Sequence, residues 1–132
     1  MQKCKVSITT TDGGKESKII RAGELDARES QASLVYREEN ALVSIKFEKE
    51  RVEIVRNGDY TLRLFLEKDG FGKGWLGIAG GEGEIQTNTR KLSYSLNKNG
   101  LMALLHYDLI ISGEIQEMKL RISAQTEKKY EN

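Results

Sequence analysis

The sequence predicts an all-β chain: a single antiparallel β-barrel, closed or nearly closed, of about eight to ten strands. Three observations carry this. Apolar residues alternate with polar ones at period two, in Ala41, Val43, Ile45 and Phe47 against Leu42, Ser44, Lys46 and Glu48. Tyr60, Leu62, Leu64 and Leu66 repeat the pattern against Thr61, Arg63, Phe65 and Glu67. Successive strand side chains point to opposite faces, so this is the pattern of a half-buried strand. Second, short polar stretches punctuate the runs at hairpin spacing: Glu38-Glu39-Asn40, Glu48-Lys49-Glu50 and Asn57-Gly58-Asp59. Asn57-Gly58 carries the strongest turn signal, because both residues tolerate the positive φ of a type I′ hairpin. Third, thirteen glycines and no proline suit strands joined by tight turns. Closure into a barrel also removes exposed sheet edges.

Glu38 to Arg56 is rich in helix-forming residues and would pass as helix on propensity alone. Its helical stripe breaks, however: from Leu42 and Ile45 the next same-face positions are Glu48 and Lys49. Strand is the better fit.

In chain order, Lys3 to Thr11 places Cys4, Val6, Ile8 and Thr10 on one face, and Asp12-Gly13-Gly14 turns into Lys15 to Ala22. Gly23 interrupts, and Glu24 to Ser30 reads as an irregular strand or a helical turn leading to the meander of Gln31 to Glu67. Asp69 to Gly83 then holds seven Gly within fifteen residues. It matches neither G-x-x-x-x-G-K-[ST] nor a G-x-G-x-x-G that opens a helix, and a strand follows it, so it is no phosphate loop. Glycine there lets a strand bend or bulge where a barrel closes. Glu84 to Lys91 and Leu92 to Leu96 continue as strand, and Asn97-Lys98-Asn99-Gly100 turns. Leu101 to Ser112 is apolar on both faces, Leu101, Ala103, Leu105, Tyr107, Leu109 and Ile111 on one and Met102, Leu104 and Ile110 on the other. Such a strand is usually covered on both sides, by another segment or a partner subunit. Gly113-Glu114 turns, and Ile115 to Gln125 closes the barrel with Met118, Leu120, Ile122 and Ala124 inward. The expected organisation is one barrel domain over 1–126 and a polar tail over 127–132.

At 132 residues the chain can bury about two-thirds of its unfolded surface without metal or disulfides. Its charge is balanced, with 21 basic and 20 acidic residues interspersed for a net +1, which argues against nucleic acid as a partner. One cysteine, Cys4, cannot make an internal disulfide, no signal peptide opens the chain, and no apolar run approaches a membrane span. The expected location is the cytoplasm.

Nothing here signals catalysis, a metal or a cofactor. His106 and Cys4 are single and lack activating neighbours, and a metal needs several ligands at suitable spacing. Glu38 and Glu39 are adjacent and point apart. The constellation that stands out is polar residues on inward positions. Tyr36 and Glu38 follow Leu34 in phase, and Arg56 follows Val52 and Ile54. Buried charge is costly unless paired, so Glu38 and Arg56 are expected to pair with each other or with a ligand near a barrel mouth, or else to meet water at strand ends while Arg56 braces the turn. Trp75 and Tyr107 are expected to line the same interior, as aromatics line apolar pockets.

Several short motifs occur in order along nearly the whole chain: Tyr36-Arg37-Glu38, Arg56-Asn57-Gly58, the aromatic-then-Gly stretch Trp75 to Gly83, and Tyr107-Asp108-Leu109-Ile110-Ile111. Together with Asp12-Gly13 and Gly23, this succession resembles the YwiB-like family of uncharacterised bacterial proteins. The resemblance implies a calycin-like (lipocalin-like) barrel and a cytoplasmic bacterial origin, and it implies no activity. The WLGIAGGEG stretch departs from the aromatic, Thr, Pro and Gly that the family often has there, so no role carries over to it.

Three functions are consistent with these residues. The first is a barrel holding a small amphipathic ligand, with Tyr36, Glu38, Arg56, Trp75 and Tyr107 as its candidate contacts. The second is a homodimeric or interaction module that uses Met102, Leu104 and Ile110. The least supported is an enzyme with Glu38 as acid or base.

Overall fold

The structure, a computed structural model, describes residues 1–127. The polar tail expected from residue 127 therefore lies, from 128 on, outside the described residues. Ten strands follow one another: β1 (Gln2–Asp12), β2 (Lys15–Arg28), β3 (Gln31–Glu38), β4 (Ala41–Glu48), β5 (Arg51–Gly58), β6 (Thr61–Glu67), β7 (Phe71–Ile78), β8 (Gly81–Asn97), β9 (Gly100–Ile111) and β10 (Glu114–Thr126). Each pairs antiparallel with the next and β10 returns to β1, so the sheet is a closed up-and-down barrel, as the alternation predicts. Among the described residues no helix is long and apolar enough to cross a membrane.

The inner face follows from the two-residue period. Ala41, Val43, Ile45 and Phe47 on β4, Leu64 and Leu66 on β6, and Leu101, Ala103, Leu105 and Tyr107 on β9 are all buried. Inner positions line up across strands through the register. Cys4, Gly23, Tyr36, Val43, Arg56 and Leu62 are successive partners on β1 to β6.

Two strands change partner along their length. β2 pairs with β1 over Lys15 to Leu25 but with β3 only from Gly23 onward, and β8 pairs with β7 up to Asn88 but with β9 as far as Asn97. Gly23 therefore does not interrupt a strand, and 24–28 is regular strand. A Cβ at Gly23 would sit 2.7 Å from the Val35 carbonyl oxygen and from Val6 Cγ2, so the site needs glycine for close approach.

Beyond a β-bulge between Thr89 and Lys91, the second half of β8 closes one end of the barrel. Leu92 is buried, the Tyr94 ring packs on Phe47 at 5.2 Å between centroids, and Tyr94 Oη donates to the Lys49 carbonyl at 2.8 Å, with the Ser30 carbonyl at 3.4 Å. Removing that hydroxyl in Tyr94→Phe is expected to lower stability by about 1 kcal/mol, since one donor serves turn carbonyls that water also reaches. Urea unfolding measures this, and an unchanged midpoint would show that the hydroxyl contributes nothing.

Local expectations need correction in four places. Asn57 and Gly58 do not form a type I′ turn: neither has positive φ, and Gly58 pairs with Ala41 and Asn57 with Thr61, so the chain reverses over 58–60. Gly58 is glycine because a Cβ would collide with the Asn40 carbonyl oxygen. The last hairpin turns one residue earlier than 113–114, at Ser112 and Gly113, which have φ of 51° and 81°. The Gly-rich run does not close the barrel, which closes between β1 and β10; it contains strand β7, whose Gly72, Gly74 and Gly77 press against β6. Finally, no described segment covers the first half of the outer face of β9, where Met102 and Leu104 are 58% and 39% exposed.

Candidate functional site

The end opposite Tyr94 is where the inward side chains reach solvent. Its turns are those at 13–14, 39–40, 58–60, 79–80 and 112–113. Inward side chains near it stay partly exposed while packing on the core, among them Leu62, Leu76, Leu109, Ile111 and Met118. An apolar lining at an open barrel end is the usual geometry of a ligand mouth.

Polar groups meet this lining on one side. Tyr36, Val43 and Arg56 are cross-strand partners on β3, β4 and β5, and Glu38 lies one inward position further toward the mouth. Arg56 Nε is 3.5 Å from Glu38 Oε2, an ion-pair distance without hydrogen-bond geometry. The rest of the guanidinium holds the 58–60 turn: Nη1 donates to the Tyr60 carbonyl at 2.9 Å, Nη2 to Asp59 Oδ1 at 2.8 Å, and Cζ lies 3.7 Å from the centre of the Tyr60 ring. Burial works against the Arg56 charge, but the Asp59 hydrogen bond and the fields of Tyr60 and Glu38 outweigh it, so its pKa rises. The same hydrogen bond holds the Asp59 carboxyl below its ordinary range. The Arg56 side chain is only 12% exposed, and its Nε is a buried donor with no acceptor. Burial, with Glu38 adding, pushes the Tyr36 hydroxyl well above its ordinary pKa, so it stays a neutral donor.

The structure thus gathers Tyr36, Glu38 and Arg56. Tyr107 is also inside, on β9, with burial raising its hydroxyl pKa. Trp75 is not. Its neighbours Gly74 and Leu76 take the inward positions of β7, and Trp75 faces out, opposite Arg63 and edge-on to Phe65 at 6.1 Å. The expectation that Trp75 lines the interior is therefore wrong: with glycine on the inward positions 72 and 74, the aromatic residues Phe71 and Trp75 lie on the outer face of this strand.

A second polar cluster on the outer wall was not anticipated. Asp108, on the outward face of β9, is 5% exposed because Arg90, in the β8 bulge, folds over it, Nε and Nη2 donating to Oδ2 at 3.1 and 3.0 Å. Arg90 Nη1 also reaches Glu117 at 3.4 Å, and His106 Nε2 lies 2.9 Å from the same carboxylate oxygen. The hydrogen bond from His106 is the main cause holding the Glu117 carboxyl below its ordinary range. The i, i+2 spacing of His106 and Asp108 was the available signal, but the bulge that brings Arg90 over them leaves no local mark. Cys4 lies inside, its thiol pKa raised by burial, and does not meet the outward His106.

Comparison with known proteins agrees with this architecture. The crystal structure of the YwiB protein from Bacillus subtilis superposes with a TM-score of 0.76 at 16% identity, covering 95% of this chain and 93% of that one, which shows a shared fold. No curated protein matches the sequence. The model of a family described as a domain of unknown function (DUF1934) matches residues 3–122. The resemblance drawn from the motifs is borne out, and the chain belongs to the DUF1934 family.

Proposed function

We propose that this calycin-like barrel is a non-enzymatic binding protein that holds a small amphipathic ligand at its open mouth. The observation that carries the reading is the buried, unpartnered Arg56 Nε beside Glu38 at the edge of an apolar lining. A lone buried donor costs free energy that a bound acceptor returns. Because Glu38 balances the guanidinium, the fitting head group is neutral and both accepts and donates, such as a hydroxyl or an amide. The apolar body would rest on Leu62, Leu76 and Met118. The reading includes a cytoplasmic location, consistent with a buried free Cys4.

Native mass spectrometry of protein purified gently from cells tests it. The expected result is an extra mass that disappears on denaturation, falls in Arg56→Lys and persists in the outer-face variant Trp75→Ala. A bare mass, together with unshifted methyl resonances of Leu62, Leu76 and Met118 on titration with a monoacylglycerol and a fatty amide, would reject the mouth as a site.

A second copy of the chain is the alternative partner, favoured by the exposure of Met102 and Leu104 between Ser95, Ser93 and Ser123. A monomeric mass in sedimentation at high concentration would remove it.

A further inference from the structure

Along the sequence the charges are interspersed, but the fold sorts them by whether they are paired. On the wall from β4 to β8 three cations have ion-pair partners, Arg51 with Glu67 at 2.6 Å, Arg63 with Glu53 at 3.0 Å and Lys73 with Glu84 at 3.9 Å, and Lys46 on β4 has none among the described residues. The opposite wall, built from the second half of β8 with β9, β10, β1 and the start of β2, differs. Its outward Lys5, Lys18, Lys91, Lys119 and Arg121 have no ion-pair partner among the described residues.

Register places the cations. Lys91, His106, Lys119, Thr11 and Glu16 are successive cross-strand partners, and the neighbouring row on the same face is Ser93, Leu104, Arg121, Thr9 and Lys18. Strands lie ~4.8 Å apart and same-face residues ~7 Å apart along a strand, so the backbone positions of Lys91 and Lys119 are ~10 Å apart, Lys119 and Arg121 ~7 Å, and Lys91 and Arg121 ~12 Å, distances that long side chains can span. Between them runs an outer groove of about 280 Å³, with the outward Leu104 as its apolar wall and Thr9 and Thr11 offering hydroxyls. Of the carboxylates nearby, Glu117 is already bound by His106 and Arg90, and Glu16 lines the groove at its β2 end beside Thr11, opposed there by the three cations toward β8 and β10.

We propose that this groove is a phosphoryl-binding site. Three long cations and two hydroxyls exceed what a two-oxygen carboxylate can use, whereas a phosphoryl group brings more acceptor oxygens and a charge near −2 to distribute among them. The apolar wall at Leu104 accepts whatever uncharged part the phosphoryl group is attached to. The site is independent of the mouth at Arg56, on a different face of the barrel.

Calorimetric titration at low salt, with inorganic pyrophosphate and with a short single-stranded oligoribonucleotide, tests the assignment, and poly-L-glutamate is the charge control. The expected result is saturable binding of pyrophosphate, weakening steeply with salt. It should drop at least about tenfold in the K91E/K119E/R121E variant, while Lys73→Glu on the other wall and Arg56→Lys at the mouth leave it unchanged. Pyrophosphate binding would support the site, and oligonucleotide binding without pyrophosphate binding would overturn it, because a phosphodiester offers one charge and two free oxygens, no more than a carboxylate. The proposal is overturned if pyrophosphate does not bind, if poly-L-glutamate binds as tightly, or if the triple variant, shown to be folded by an unchanged urea midpoint, binds like the parent.

Discussion

Gly100→Ala is expected to destabilise the barrel by roughly 3–5 kcal/mol, a large share of the 5–15 kcal/mol typical of a domain. Gly100 opens β9 with a φ of 134°, a conformation that an L side chain rarely adopts. It is also buried, facing β10. A Cβ there would collide with the Ala124 carbonyl oxygen and lie 2.9 Å from that carbonyl carbon and 3.3 Å from Gln125 Cα, all backbone. Two costs add: about 1–3 kcal/mol for the strained dihedral and a similar amount for overpacking against atoms that cannot rotate away. Gly13→Ala is the control. Gly13 also has positive φ, 55°, but nothing lies within 4 Å of a Cβ there, so the cost should be about 1 kcal/mol. Urea unfolding of the two variants separates the terms. Equal losses would mean that the contact with β10 relaxes and only the dihedral matters.

Phe47→Ala should cost a comparable 3–5 kcal/mol, by a different route. Phe47 is 1% exposed at the end of β4, and its ring supports Tyr94, which closes that end of the barrel. Truncation removes the transfer free energy of the ring and leaves an apolar cavity that a closed barrel cannot readily collapse, because hydrogen-bonded neighbours hold every strand in place. Phe71→Ala provides the contrast: at 72% exposure it should change stability by no more than about 0.5 kcal/mol. A small loss for Phe47→Ala would show that Tyr94 and the second half of β8 move in to fill the space.

The sequence made some features legible because they depend on parity alone. On β3 to β6, inward and outward residues alternate without interruption, so the core positions Val43, Ile45, Phe47, Leu64 and Leu66 and the inward placement of Tyr36, Glu38 and Arg56 could be read directly. Where the inward residue is glycine the same reading inverts. On β7, Gly72 and Gly74 leave no apolar mark on the inner face, and Trp75 was assigned to the wrong side. At Asn57-Gly58, local turn propensity competes with the pairing of both residues to neighbouring strands, and the pairing wins because it satisfies backbone hydrogen bonds over two whole strands.

By itself the chain determined that it is all-β, that its strands follow one another as hairpins, and which face of each regular strand is buried, because these follow from side-chain alternation and turn chemistry within a few residues. Only the tertiary structure decided what lies together across the barrel. It set Arg56 Nε unpartnered beside Glu38, folded Arg90 over Asp108 through a bulge, capped one end with Tyr94 and gathered unpaired cations on one wall. Each depends on the register between strands and on the points where β2 and β8 change neighbours, and contacts between residues distant in the chain fix those.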